Sequence, residues 1–492
     1  MFPTEAGGNT FMLMYMLYNP LVKVATDMTT LEPDLAGSWE AAPDASSFTF
    51  HLRNDVKWQD GTPFTAKDVV FTATWSAQNL DYFLEFPPAW KDVKGASAIK
   101  GTDNPLVGVE QIDDYTVKFT LETPNAEWLH GLADAENVIF PEHLVKGISG
   151  KNIDTSDFAT KAPVGTGPYK FVSMNKDTGV EFAANPDYFK GAPKIARAFF
   201  RVVAADTAVA QLQSGDIDLV LDVPSAEYDR LKTDPNLNVL SVPEAGVVRL
   251  DLAVDHPPFD NQKVRQAAYY AINRAGIVQD VLHGRGKLLF NPPGFKEYSD
   301  LQHYDYNPDK AKQLLAEAGF DGAAHPVRLA YELNTPNADV YMPIVQQDLQ
   351  AVGFKVELHP MDQAAVSAMV ADPKRYSNYE AWQGQGGLEG MSPDRTAVYY
   401  NCKDLAITTD TTAYQNCHMD DLFVQARSVT DPAARDAIYH QIALILNTDL
   451  PSLYWWTGQN VHVATTKLGG GFAVPGFERY AVMNIQDWTL QP

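Results

Sequence analysis

The sequence predicts an α/β protein of more than one domain, and three observations carry this. The chain has 492 residues, more than one ordinary hydrophobic core organises. The stretch from Pro33 to Trp75 reads as strands feeding a helix. The second half alternates helix patterns with short β-rich runs, the pattern of layered α/β architecture.

The elements follow in order. Ser47-Phe48-Thr49-Phe50-His51-Leu52 alternates apolar and polar residues, the period of a half-buried strand. Asp60-Gly61-Thr62-Pro63 is turn chemistry: glycine supplies a positive φ and proline presets the next bend. Thr65 is placed as an N-cap, with Asp68 as an acidic variant of the capping box and Val69, Val70 and Phe71 opening an apolar face. Further on, Val327-Arg328-Leu329-Ala330-Tyr331 reads as a strand. Asp431-Pro432 sets Asp at N-cap and Pro at N1 of a helix. Ile438, Ile442 and Ile445 then recur at i, i+4 and i+7, one buried face. No internal repeat or low-complexity tract interrupts this order.

Composition excludes several function classes. Hydrophobic content of 45% and aromatic content of 11% describe a folded globular chain. A formal net charge of −24 argues against nucleic acid as partner, and equally against docking on anionic lipid. The acidity reads as solubility. The most apolar run, Phe11 to Tyr18, falls short of the roughly 20 residues a membrane helix needs and has no basic flank.

Signatures of catalysis are missing from the sequence. The 11 histidines are scattered, with no HExxH pair and no CxxC. His418 follows Cys417 without further ligands. The run Gly384-Gln385-Gly386-Gly387-Leu388-Glu389-Gly390 imitates a dinucleotide loop, but Glu389 stands where the last glycine is needed. Gly284-Arg285-Gly286-Lys287 lacks phosphate-loop spacing, and no G-x-S-x-G elbow occurs. The expectation is a protein that is not an enzyme, with no catalytic residue, no metal and no cofactor. A hydrolase working from dispersed carboxylates, drawn from 62 acidic residues, stands as the alternative of another class. The two cysteines, Cys402 and Cys417, are either a local bridge or a pair of free thiols. A bridge would close a loop of about 15 residues and contribute about 3 kcal/mol.

Blocks spread along the chain resemble one family. Leu35-Ala36-Gly37-Ser38-Trp39 and Val56-Lys57-Trp58-Gln59-Asp60-Gly61-Thr62-Pro63-Phe64-Thr65-Ala66-Lys67-Asp68-Val69-Val70-Phe71-Thr72 resemble the signature region of the family 5, dipeptide/oligopeptide-type (cluster C) solute-binding proteins of ABC importers. Val164 to Tyr169 resembles that family's GTGPY turn, and Asn185 to Pro193 its N-x-x-Y-(W/F)-x-G-x-P segment. Gln211 to Asp218, Phe259 to Asn273 and Asn307 to Leu315 resemble three further blocks, in the family's order.

The resemblance implies a two-lobe, type II-like periplasmic-binding-protein fold with a hinge and a subdomain inserted in the first lobe. Lobe I would comprise residues 1–14, 165–250 and 461–492, the insert 15–164, and lobe II 251–460. It further implies a monomer that captures a small-molecule ligand between its lobes and delivers it to the transmembrane subunits of an ABC permease. A Cys402–Cys417 disulfide and a periplasmic location, free or lipid-anchored, come with it. A signal peptide is absent from this chain, and on that reading some native N-terminal residues are missing. A binding module repurposed as chaperone or sensor is a third reading.

The ligand is read from departures. In peptide-binding members a G-W-x-x-D segment supplies an aspartate for the ligand's ammonium. Here Trp382-Gln383-Gly384-Gln385 keeps the tryptophan and sets Gln385 at the aspartate place. Dipeptide-binding members carry an arginine near P-N-A-R for the ligand carboxylate, and Pro336-Asn337-Ala338-Asp339 sets Asp339 there. A buried charge without its partner costs several kcal/mol, so a saccharide or an opine-like, conjugated solute is favoured over a free zwitterionic dipeptide. Asp394 or Glu389 could serve a cation instead, which keeps a true di- or oligopeptide binder open. The candidate ligand contacts are Asn9, Thr10, Trp382, Gln383, Gly384, Gln385, Trp455 and Trp456. The amides and hydroxyl donate and accept, and the indoles offer stacking surface. Consecutive strand residues face opposite sides, so only one of Trp455 and Trp456 is expected to line the pocket. Trp39, Trp58 and Trp75 are assigned to the core.

Overall fold

The structure is a computed structural model. It describes the chain outside residues 1–7, 28–29, 84–88, 100–104, 176–177, 222, 224–226, 244–245, 293, 334, 336, 373–377, 387–391, 401, 403–411, 473–479 and 492. Two compact units share the chain. The first holds residues 1–242, 427–430 and 460–492, and the second 243–426 and 431–459.

In the first unit, helix α1 (Gly8–Leu17) precedes the hairpin β1 (Val22–Val24) and β2 (Leu31–Pro33). Strands β3 (Ala36–Ala41), β4 (Ser47–Leu52), β5 (Val109–Asp113) and β6 (Thr116–Thr120) form an antiparallel sheet in the order β3-β4-β6-β5. Helix α2 (Ala66–Gln78) starts at Thr65, whose backbone N–H donates to Asp68 Oδ2 at 3.0 Å, as the capping reading requires. Phe48, Phe50 and Phe119 pack on Trp90 and Trp128, an aromatic core for that sheet. Trp58 and Trp75 are core, while Trp39 is half-buried. Strands β7 (Tyr169–Asn175), β8 (Gly179–Ala184) and β9 (Arg197–Phe200) make a second antiparallel sheet. Strand β10 (Leu219–Val220) pairs with the C-terminal half of the long strand β17 (Ser452–Thr465), and β11 (Leu237–Pro243) pairs with β17 as well.

The glycine-rich turn at 165–167 has a packing reason. A Cβ on Gly165 would lie 1.8 Å from the Leu17 carbonyl oxygen, and one on Gly167 2.4 Å from the Leu17 carbonyl carbon. Only glycines let this turn press against the end of α1, where Gly167 N–H donates to Leu17 O at 2.7 Å. The Asn185–Pro193 segment joins the same knot. Asn185 Nδ2 donates to Gly167 O, and Asn19 Nδ2 donates to Tyr188 Oη at 3.2 Å.

The second unit is a mixed sheet clasped by helices. Strands β12 (Val247–Leu252), β13 (Gly286–Leu288), β14 (Val327–Glu332), β15 (Val356–Met361) and β16 (Ala381–Gly386) combine with the N-terminal half of β17 in the order β17-β12-β16-β14-β15. β13 also pairs with β17. β14 is parallel to β15 and β16, whereas β12 is antiparallel to β16 and β17. The helices Gln262–Ala271, Pro308–Glu317 and Ala338–Val352 bury Val264, Leu314 and Val345 with Leu250, Leu329 and Leu453 in one core. Asn261 and Asn307 cap two of these helices, each accepting a backbone N–H at 2.9 Å. The helix Pro432–Asp449 begins at Asp431, which accepts from Ala434 N–H at 2.8 Å. Its buried stripe runs Ile438, Ile442, Leu446, and Ile445 is only half-buried. The true i, i+4, i+8 stripe thus displaces the expected i+7 position.

Residues 427–430, inside the stretch read as lobe II, pack within the first unit. Arg427 O accepts from Ala126 N–H at 2.7 Å, and Thr430 Oγ1 donates to Pro43 O at 3.2 Å. Cys402 and Cys417 are joined by a disulfide with a Cα–Cα distance of 5.2 Å. Among the described residues no helix is long and apolar enough to cross a membrane.

Candidate ligand-binding site

The segment singled out by sequence, Trp382 to Gln385, is strand β16, flanked by β12 and β14 in the middle of the second unit's sheet. Register decides which way each side chain points, because residues directly opposite each other share a face. Gln383 pairs with Leu250 of β12 and Tyr331 of β14, so it enters the main core. Trp382 pairs with Asp251 and Ala330, on the other face. There its indole packs with Ala330, Val366 and Met369. Gly384 lies opposite Arg249, and a Cβ there would sit 3.1 Å from the Trp382 indole nitrogen. Asn9 and Thr10 belong to α1, in the first unit, and Gln385 to β16; their side chains lie outside the described residues.

Gln383 is the most unusual member. It is 0% exposed, and neither its Nε2 nor its Oε1 has a hydrogen-bond partner. Such a group costs about 1–3 kcal/mol unless something satisfies it. Other buried groups of this unit are unpaired as well, among them Tyr341 Oη, Trp455 Nε1, Thr335 Oγ1, Thr396 Oγ1 and His359 Nε2. Tyr341 and Trp455 meet edge to face at 6.2 Å, in the core that Gln383 enters. Thr335 stands just before the helix Ala338–Val352, where Ala338 N–H donates to its carbonyl at 3.0 Å. Burial pushes the Tyr341 phenol well above its ordinary range, so it stays a neutral donor. Apart from the imidazole, these groups are uncharged donors and acceptors.

The opposite face carries a closed polar network that sequence reading missed. Arg249 Nε donates to Asp251 Oδ1 at 2.9 Å, and both residues are buried. The guanidinium lies 4.5 Å from the centre of the Tyr399 ring. Ser452 Oγ donates to Asp251 Oδ1 at 2.5 Å, Tyr400 Oη donates to Ser452 Oγ at 2.8 Å, and Tyr454 Oη lies 2.8 Å from Tyr400 Oη. Burial, reinforced by the Asp251 charge, pushes the Tyr400 phenol up. The signal was present in β12 as Arg249 and Asp251, opposite charges two apart on one face of an otherwise apolar strand. Arg249 is therefore paired through its Nε with an internal carboxylate.

Trp455 and Trp456 correct the sequence reading. Both are buried, at 0% and 2% exposure, and their rings stack at 5.5 Å within the same core. Strict alternation would have separated them. The β12–β17 register shifts, however: Val248 pairs with Trp456 and Arg249 with Tyr454, which makes Trp455 the extra residue of a β-bulge. The bulge turns both indoles to one side, and both pack against Tyr341. Both pack in the core that Gln383 enters, and the Trp455 indole nitrogen is one of its unpaired groups. Asp339, at the place of the missing arginine, is exposed in the first turn of the helix Ala338–Val352. Glu389 lies outside the described residues. No cluster of three or more His, Cys, Asp or Glu that would hold a metal occurs among the described residues.

Comparison with known proteins agrees with this architecture. Residues 30–404 match the family described as bacterial extracellular solute-binding proteins, family 5. Heme-binding protein A of Haemophilus influenzae is 30% identical over 449 residues, covering 88% of this chain and 80% of that protein. The dipeptide-binding protein of Escherichia coli is 29% identical, covering 89% and 83%. Among solved structures, the ABC transporter substrate-binding protein CtaP of Listeria monocytogenes superposes with a TM-score of 0.85 at 25% identity, covering 100% of this chain and 96% of that one. AgaA from A. tumefaciens R10, in complex with agropinic acid, superposes at 0.79 with 26% identity, covering 99% and 95%. The fold is the two-lobe periplasmic-binding-protein fold, and the chain belongs to family 5 of the bacterial extracellular solute-binding proteins of ABC transporters.

Proposed function

We propose that this protein captures an uncharged or conjugated solute, saccharide or opine-like, and hands it as a monomer to an ABC permease in the periplasm, without catalysing a reaction. One observation carries the ligand class: the Gln383 amide is wholly buried with both polar atoms unpaired, in the strand that also carries Trp382 and Gln385. A neutral ligand with its own donors and acceptors satisfies such groups without needing a counter-charge. Arg249 is paired through its Nε with Asp251, so a ligand carboxylate would share the guanidinium with that internal partner. The agropinic acid complex of AgaA shows a conjugated acid bound on this fold, so an opine-like candidate for this chain would still need a partner for its carboxylate, whereas a saccharide would not.

The same reading takes Asn9, Thr10, Trp382, Gln383, Gly384, Gln385, Trp455 and Trp456 as ligand contacts. It treats residues 15–164 as a subdomain inserted in the first lobe. A second reading, a true di- or oligopeptide binder, is favoured by the 29% identity to the dipeptide-binding protein. Mass spectrometry of small molecules released on denaturation, followed by calorimetric titration, separates the two. Submicromolar binding of simple dipeptides with no response to sugars or opines would overturn the first reading.

A further inference from the structure

The first unit contains a small cavity of about 20 Å³ that lies apart from the candidate ligand-binding strand β16. Tyr18, Lys23, Asp34, Tyr188, Lys190 and Gln486 contribute to its wall. These residues come from four separate parts of the chain: the end of α1 with β1, the residue after β2, the 188–190 segment and the C-terminal stretch. Asp34 is 3% exposed, and its Oδ2 accepts from Lys190 Nζ at 2.6 Å. Its Oδ1 is buried and has no partner. Tyr18 is 1% exposed, and its hydroxyl is likewise buried and unpaired. Two residues that line one cavity therefore each carry an orphaned polar atom, one an obligatory acceptor and the other a donor as well as an acceptor.

The chemistry of the wall selects the occupant. Two lysines, Lys23 and Lys190, line the cavity and disfavour a cation. The Asp34 carboxylate disfavours an anion. What fits is neutral, donates to a carboxylate and accepts from a phenol or an ammonium. The volume is enough for one water, for which about 10–15 Å³ suffices. We infer that the cavity is a built hydration site, in which one buried water donates to Asp34 Oδ1 and accepts from Tyr18 Oη, completing the Asp34–Lys190 pair. A buried ion pair holds only when its remaining lone pairs are satisfied, and the water supplies that second bond. Burial lowers the proton affinity of Lys190 and its pull toward Asp34 opposes this, the balance expected of a pair that needs such support. The site also ties the C-terminal stretch, through Gln486, to the first helix and hairpin. It stands on the first unit alone and does not depend on the ligand class.

A high-resolution crystal structure of the full chain tests this. The expected result is an ordered water within about 2.7–3.2 Å of both Asp34 Oδ1 and Tyr18 Oη. A direct Tyr18–Asp34 hydrogen bond, or no density between them, would overturn it. Tyr18→Phe keeps the ring and removes one of the water's partners, so the water's occupancy should fall while Lys190 stays on Asp34. In thermal unfolding, Tyr18→Phe and Asp34→Asn should be non-additive, because both act through the same water. Simple additivity of their melting-temperature shifts would count against the shared site, even if either variant alone is destabilised.

Discussion

Replacing Gln383 by leucine makes opposite predictions for the empty and the loaded protein. The two side chains have similar volume, so the core tolerates the swap sterically. In the ligand-free protein the amide buries two polar atoms without partners, which costs about 1–3 kcal/mol for the group. Gln383→Leu removes that cost and adds apolar contact with Leu250 and Tyr331, its register neighbours. Stability should rise by about 1–3 kcal/mol in urea titrations of the empty protein. Affinity should move the other way. Losing two neutral hydrogen bonds, at about 0.5–1.5 kcal/mol each, weakens the Kd by roughly 5- to 150-fold. Calorimetry with the ligand identified by mass spectrometry reads the second arm. A stabilised variant of unchanged affinity would show that Gln383 is an unsatisfied core residue with no part in recognition. A destabilised variant would show that the amide is satisfied inside the protein.

Four further outcomes follow from the same geometry. Trp382→Ala should cost a few kcal/mol of ligand affinity if the indole touches ligand, and calorimetry with a circular-dichroism check of the fold reads it; unchanged affinity would leave Trp382 as packing for Val366 and Met369. Asp251→Ala strands the buried Arg249 charge and should destabilise the second unit by about 3–5 kcal/mol, seen as a lower urea midpoint. In the unreduced, denatured protein no free thiol should titrate from Cys402 or Cys417, and reduction should cost about 3 kcal/mol. His462 is buried, and burial depresses its folded-state pKa to about 4. The unfolded chain then binds the extra proton first, so stability is full above about pH 6.5 and falls by about 3 kcal/mol as pH drops toward 4. His462→Phe should flatten that part of the stability–pH curve, and an unchanged slope would assign the loss to other groups.

Much of the fold was legible because its signals are local. A Thr65–Asp68 capping pair, asparagine caps at 261 and 307, and an aspartate cap before Pro432 each act within a single turn of chain. The glycines of the 165–167 turn were visible as a motif, but their reason was not. They answer to the Leu17 carbonyl, some 150 residues earlier, and sequence carries no trace of that contact. The stripe of the helix Pro432–Asp449 was misjudged by one position for a related reason: an i+7 and an i+8 isoleucine or leucine look equally periodic, and only the neighbours decide which is covered.

The site was less legible, and Trp455 with Trp456 shows why. Period-two alternation is a property of a regular strand, and it correctly sends Trp382 and Gln383 to opposite faces of β16. A bulge breaks the period, yet it is written in the pairing of two strands some 200 residues apart, not in either strand alone. The same holds for charge. Counting arginines near a motif asks whether a cation exists, whereas binding depends on whether it is already spent. Arg249 is present, central and buried, but Asp251 on its own strand neutralises it, and Ser452 and Tyr400 extend the hold. A carboxylate ligand would have to outbid that internal partner at close range. Among the described residues, the buried groups of this unit that lack a partner include instead an amide, a phenol, an indole and two hydroxyls, beside the His359 imidazole. On the proposed reading, selectivity for a neutral solute would rest on which buried groups the fold leaves unpaired, more than on which residue types it contains.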